Sequence, residues 1–264
     1  MTPNGPQHTL SDGLRLAFGT LTRVPTPPPS QVTRGCTRIA MLLAPLVGLL
    51  LTAGAALPLL LTDAYPGLAA LTACGAVLLV AWGSGALHLD GLADTADALG
   101  SRAPAERALQ IARRSDIGPF GVLAIVAALL LQIIALGSLA LTQPVPFTFW
   151  IAVFCIGGAR AAITVGCTPW FPPARPDGLG ATVARCVPRS AAVLTWVLLI
   201  GLGWLLLGPV GAIALAAAAG AAVLTLLHAK NRLGGMTGDV LGASVEVAAT
   251  AGLVTACMAS QILA

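Results

Sequence analysis

Long apolar runs separated by short polar segments set the pattern of the chain. A hydrocarbon core of ~30 Å needs about 20 apolar residues per helix. Runs of that kind fall at 39–61, 68–89, 118–141, 147–167, 191–207, 209–228 and 240–263. They predict an all-α integral membrane protein, a polytopic bundle of about seven transmembrane helices. The fifth and sixth runs meet at Gly208-Pro209, so a tight helical hairpin and a broken re-entrant element both remain open there. Residues 1–38 read as an N-terminal segment, stiffened by Pro25 and Pro27 to Pro29 and without the apolar stretch of a signal peptide. Residues 39–264 read as a single transmembrane helical domain.

Composition agrees with the pattern. The 264 residues are 57% hydrophobic and 9% charged, with a mean hydropathy of +0.90. A soluble domain carries about 25% charged residues. Thirteen of the fourteen Lys and Arg side chains lie in alternate segments: before the first run, after the second, after the fourth and after the sixth. Only Arg160 sits inside a run. Basic segments stay in the cytoplasm, which places the N-terminus inside, the C-terminus outside, and the chain in the plasma membrane among lipid. This partition also explains the net charge of +4 without a nucleic-acid partner. The six cysteines form no CxxC pair and the three histidines lack zinc-site spacing, so most cysteines read as small apolar fillers. Gly83-Ser84-Gly85, Gly157-Gly158-Ala159 and the run from Ala214 to Ala222 read as packing surfaces, either within one bundle or in a homo-oligomer.

Candidate chemistry concentrates in two acidic segments. In HLDGLADTADAL (88–99), Asp90, Asp94 and Asp97 are spaced i, i+4, i+7 and share one helical stripe. Three like charges on one stripe repel, and a divalent cation such as Mg²⁺ offsets that cost. Ala93, Ala96 and Ala98 surround the stripe where a solvated helix would carry lysine or glutamate. Gly91 marks a close backbone or ligand approach, and His88 faces away from the stripe as a packing residue. The second segment, NRLGGMTGDVLGASVEVA (231–248), offers a glycine loop with Thr237, Gly238 and Asp239, plus Glu246 inside the last run. Thr237 and Asp239 also suit an ordinary helix cap. Two further loops, RRSDIGPFG (113–121) and RPDGLG (175–180), bring Arg113, Arg114, Asp116, Arg175, Asp177 and Gly178. Opposite a carboxylate stripe, such arginines suit phosphate, and Arg160 needs an anionic partner or substrate.

These segments together carry a resemblance. HLDGLADTADAL, IGPFG (117–121), RPDGLG and NRLGGMTGDVLGA (231–243), with the opening LRLAFGTLTRVPTP (14–27), resemble the cobalamin synthase (adenosylcobinamide-GDP ribazoletransferase) family, in the right order from about residue 10 to the end. Many members carry an aspartate before the serine of the RRSDIG segment, where this chain has Arg114.

The resemblance implies a membrane-embedded catalytic domain that joins adenosylcobinamide-GDP to α-ribazole, or its 5′-phosphate, and releases GMP with Mg²⁺. On that reading Asp90, Asp94 and Asp97, helped by Asp239, hold the metal, with Asp94 the candidate proton acceptor. Arg113, Arg114, Asp116, Arg160, Arg175, Asp177, Gly178, Thr237 and Gly238 are the candidates for binding substrate. Two alternatives compete. A CDP-alcohol-type phosphatidyltransferase would use a lipid acceptor, though its full aspartate pattern is missing. A transporter of ions or a corrinoid would use Arg160 and Glu246, though the outer half of the spans is almost bare of charge.

Overall fold

A computed structural model describes residues 6–263 apart from residue 115. It is helical throughout, with one isolated β-bridge between Pro173 and Met236. The helices are α1 (Pro6–Leu21), α2 (Arg34–Ala55), α3 (Ala69–Gly83), α4 (Leu87–Gly100), α5 (Ala105–Ile111), α6 (Pro119–Thr142), α7 (Val145–Ala152), α8 (Ala161–Gly166), α9 (Gly178–Val183), α10 (Arg189–Leu233) and α11 (Gly238–Ile262). Among the described residues, six segments are long and apolar enough to cross a membrane: Arg34–Thr62, Pro66–Gly83, Pro119–Thr142, Val145–Gly166, Arg189–Leu233 and Gly238–Ile262.

The 45-residue α10 contains two crossings rather than one. Gly208 adopts φ 64°, ψ −154°, outside the helical region, immediately before Pro209. A Cβ on Gly203 would lie 2.6 Å from Leu215 Cδ1 and 3.2 Å from the Gly211 carbonyl. Twelve residues along a straight helix span ~18 Å, so the chain folds back on itself. The fifth and sixth runs are a tight hairpin.

The second run ends earlier than its hydropathy predicts. The sequence suggests a span to residue 89, but α3 stops at Gly83. Gly85 (φ 65°) and Ala86 (φ 57°) both take left-handed backbone, and α4 restarts at Leu87. The Gly-Ser-Gly segment is therefore a turn as well as a packing surface: Gly83 meets Leu51, while Gly85 supplies a conformation that side chains resist. The consequence is functional. The aspartate stripe sits on its own short helix, free to lie at an angle to the spans.

The span Val145–Gly166 is almost wholly buried and forms the centre of the bundle. A π-helical turn (Val153–Gly157) and a 3₁₀ turn (Gly158–Arg160) interrupt it between α7 and α8. Gly157 meets the backbone of Gly48 on α2, as expected of a packing surface. Ala214, Ala218 and Ala222 likewise disappear into the core. Leu123, Leu130, Ile134 and Leu141 on α6, with Leu194, Val197, Leu198 and Leu205 on α10, face outward, where lipid takes the place of water.

Contacts between distant segments gather the basic loops at one end. Arg34 and Arg38 donate to the carbonyls of Arg185 and Cys186, and Lys230 to that of Trp170. Arg113 pairs with Asp177, and the Arg23 guanidinium lies 5.1 Å from the Trp82 ring. Buried Asp12 ties α1 to the proline-rich segment by accepting from Ser30 N (2.9 Å), Ser30 Oγ and Gln31 N.

Candidate active site

Two glycines bring the acidic segments together. A Cβ on Gly91 of α4 would lie 2.6 Å from the Asp239 carbonyl. On α11, a Cβ on Gly242 would meet His88 Cα at 3.1 Å and Gly91 Cα at 3.4 Å. The close approach at Gly91 is thus helix against helix, and it sets Asp239 beside the α4 stripe. Asp94 records the crowding. Partial burial, then the charges of Asp90, Asp239 and Asp97, raise its carboxyl from the ordinary 3.8 to about 6, against a smaller opposing pull from Arg175. Neither Asp90 nor Asp94 accepts a hydrogen bond among the described residues.

The two glycine loops close over this point. Ala174 N donates to the Met236 carbonyl (2.9 Å) and Met236 N to that of Pro172 (2.8 Å), which zips RPDGLG to GGMTGD. A side chain at Gly235 would collide with the Pro172 carbonyl, and one at Gly180 would lie 2.9 Å from Thr237 Cα. Thr237 caps α11 by accepting from Val240 N (3.2 Å), and its hydroxyl donates to Asp239 Oδ2 (3.1 Å). Arg175 donates to the same oxygen at 3.1 Å. The result is a cavity of about 140 Å³ lined by Asp90, Arg175, Asp177, Gly178, Thr237, Gly238 and Asp239 among others. Just outside, Arg113 holds the exposed Asp177 carboxyl below its usual range by a direct hydrogen bond.

Asp97 is placed differently. Its two oxygens accept from Gly118 N (2.7 Å) and Gly121 N (2.9 Å), at the start of α6. A Cβ on either glycine would strike the carboxylate. Asp97 therefore caps α6 and fixes it to the far end of the stripe. Beside it lies a second cavity lined by Asp97, Ser101, Ile111, Arg114, Asp116, Gly118, Pro119 and Phe120. Ser115 lies outside the described residues.

The chemistry of the donor set suits Mg²⁺, since every candidate ligand is a hard carboxylate oxygen. Among the described residues no three His, Cys, Asp or Glu side chains close around one point. A divalent ion would accordingly rest on one or two carboxylates and complete its shell with phosphate oxygens and water, the usual arrangement for Mg²⁺.

Arg160 does not join this cavity. It is 2% exposed, donates to the Ile156 carbonyl (3.3 Å) and faces Glu246 across a small internal cavity. Gln132 of α6 donates to Glu246 Oε2 (3.0 Å) and to Thr250 Oγ1 (3.1 Å). Sequence reasoning asked for an anionic partner for Arg160 and missed Gln132, whose signal was its position as a lone amide in the apolar run 118–141. His88 is buried, and both ring nitrogens lack a partner among the described residues.

Comparison with known proteins fits this arrangement. A family profile described as Cobalamin-5-phosphate synthase matches residues 13–257. The chain belongs to that family. A Nocardioides adenosylcobinamide-GDP ribazoletransferase is 42% identical over 254 residues, covering 92% of this chain and 97% of the relative. The enzyme of that name from Frankia casuarinae is 38% identical (92% and 94% covered), and that from Stutzerimonas stutzeri 39% (91% and 96%). No solved structure matches. The cobalamin-5-phosphate synthase match spans both glycine loops, the α4 stripe and the start of α6.

Proposed function

We propose that the chain transfers the cobinamide phosphate of adenosylcobinamide-GDP to α-ribazole, or its 5′-phosphate, with release of GMP and dependence on Mg²⁺. The site faces the cytoplasm from the plasma membrane. One observation carries the reading: Asp90 and Asp239, with Asp94 close by on the same stripe, meet Arg175 and two glycine loops at one cavity, in a chain matched by relatives named adenosylcobinamide-GDP ribazoletransferase. Carboxylates and an arginine beside backbone-rich loops are what a pyrophosphate requires. The sidedness rests on the basic segments, which gather at the end of the bundle that carries this cavity.

The residues divide the work. Asp90 and Asp239, which border the cavity, would hold Mg²⁺, which when bound would supply charge neutralisation at the pyrophosphate. Arg175, released from Asp239, reaches the phosphate oxygens, and Gly178, Thr237 and Gly238 let backbone approach them. Arg113 and Asp177 hold the outer edge of the loops together. A ribose hydroxyl of the acceptor attacks the phosphorus that carries cobinamide. A new P–O bond forms, the bond to the bridging oxygen breaks, and GMP leaves with that oxygen. The hydroxyl proton passes to Asp94, a stripe carboxylate that accepts no hydrogen bond among the described residues. Asp97 holds α6 against the stripe, and Arg160 orders the bundle interior.

The test is GMP release by the purified protein in liposomes, given adenosylcobinamide-GDP and α-ribazole 5′-phosphate. Release that requires both substrates and Mg²⁺ is expected. Release without acceptor, or transfer to a lipid alcohol in its place, would overturn the reading.

A further inference from the structure

The aspartate stripe has a cavity at each end. Asp90 borders the one between the glycine loops, and Asp97 borders the one between the ends of α4 and α5 and the start of α6. Seven residues of helix separate them by ~10 Å, and Asp94 lies between. The first cavity is about 140 Å³ and carries the groups proposed above to bind the pyrophosphate. The second is about 250 Å³ and is built from other chemistry.

Phe120 forms one wall. A Cβ at Gly100 would lie 2.5 Å from both Cδ2 and Cγ of its ring and 3.0 Å from Cδ1, so the ring lies over Gly100, which has no side chain to displace it. The ring is nevertheless 51% exposed. It is held from one side and open from the other, as a stacking platform is. Ile111 adds an apolar surface. Arg114 is exposed, with no side-chain partner among the described residues, and Asp116 is likewise exposed and unpaired. Asp97 adds little repulsion, because both its oxygens are taken by backbone amides.

An aromatic face, an unpaired guanidinium and an unpaired carboxylate in one cavity match the three parts of a nucleotide. The ring stacks on a flat base, the guanidinium takes a phosphate, and a carboxylate accepts from ribose hydroxyls. We infer that this second cavity is the acceptor subsite, and that it takes a nucleoside 5′-phosphate with a flat aromatic base. Phe120 contacts the base, Arg114 the 5′-phosphate and Asp116 the ribose. The inference rests on the transferase reading and adds to it: the donor occupies one end of the stripe and the acceptor the other, so that the reacting phosphorus lies near Asp94.

Two measurements separate failure of this inference from failure of the reaction. The first is equilibrium binding of α-ribazole 5′-phosphate to the protein in detergent, without donor. Phe120→Leu keeps an apolar cover over Gly100 but removes the aromatic face, and is expected to weaken binding roughly tenfold. Phe120→Trp is expected to restore it. Arg114→Gln is expected to weaken 5′-phosphate binding while leaving α-ribazole itself unchanged, so that the two bind alike. The second measurement is turnover, where both changes should raise KM for the acceptor and leave KM for adenosylcobinamide-GDP alone. Wild-type binding with no turnover would sink the reaction and spare the subsite. Unchanged acceptor binding in Phe120→Leu, or an equal rise in both KM values, would sink the subsite.

Discussion

Two groups of charged side chains, one at the end of the bundle and one in its interior, have opposite characters. At the end of the bundle, Asp90 and Asp94 accept no hydrogen bond among the described residues, and like charges crowd Asp94. In the interior, Glu246 accepts from Gln132 and faces Arg160. Helix α11 carries an acid at each place, Asp239 beside the stripe and Glu246 in the interior, seven residues apart, and Asp239 already accepts from Arg175 and Thr237. An acid deep in apolar surroundings persists because its partners come from the same chain. Where the partners are missing and water can enter, the deficit is left for a ligand to fill. On α4, satisfaction rather than charge separates Asp90 and Asp94 from Asp97, whose oxygens both accept from backbone amides.

The largest expected effect tests the unsatisfied half. Asp90→Asn should lower kcat at least about a hundredfold, the scale of losing a carboxylate from a metal and phosphate site, measured as GMP release at saturating Mg²⁺. Asp94→Asn should do the same, yet raise the thermal midpoint of the metal-free protein, because one repelled charge has gone. An Asp94→Asn protein that is both active and less stable would erase the contrast.

The interior half should respond in stability instead. Arg160→Met leaves Glu246 without the charge that faces it across the internal cavity, and should lower the thermal midpoint. The double change Arg160→Met with Glu246→Leu should recover most of that loss in thermal unfolding, and KM for both substrates should stay near the wild-type value. A well-folded double variant that binds adenosylcobinamide-GDP poorly would move Arg160 back among the substrate-binding residues, where the sequence put it.

The contact that joins the halves is smaller. Gly91→Ala pushes a methyl group toward the Asp239 carbonyl and should cost about 1–3 kcal/mol by overpacking. Because the shift separates Asp239 from the stripe, the Mg²⁺ concentration needed for half-maximal rate should rise as well. Lost stability with unchanged Mg²⁺ demand would mean that Asp239 does not share the metal.

Much of this was legible beforehand because hydropathy and charge are written residue by residue. The seven crossings and the aspartate stripe came from period and position alone, and Gly208-Pro209 marked its own turn. Other features depend on pairs far apart in the chain. Hydropathy runs through residue 89 without showing that Gly85 and Ala86 break the helix. The i, i+4, i+7 spacing treats Asp97 as equal to Asp90, and only the approach of Gly118 and Gly121 makes it a cap. Arg160 advertised a need for a partner without naming Glu246, because the two lie 86 positions apart.

The smallest effect concerns a satisfied acid outside the spans. Asp12 accepts from the side chain and backbone of Ser30 and from Gln31, and these bonds hold its carboxyl below the ordinary 3.8 even though burial pushes the other way. A depressed value in the folded state means that the unfolded chain binds more protons near pH 3.8. The contribution of Asp12 is therefore complete above that value and disappears as pH falls through the folded one. Unfolding of wild type and Asp12→Asn should differ at neutral pH and converge in acid. Asp94 has the opposite sign, since its carboxyl is raised. An Asp12→Asn protein with the same pH profile as wild type would show that the bonds to Ser30 add nothing to the anchoring of α1. The distinction between satisfied and unsatisfied acids would then hold only inside the bundle.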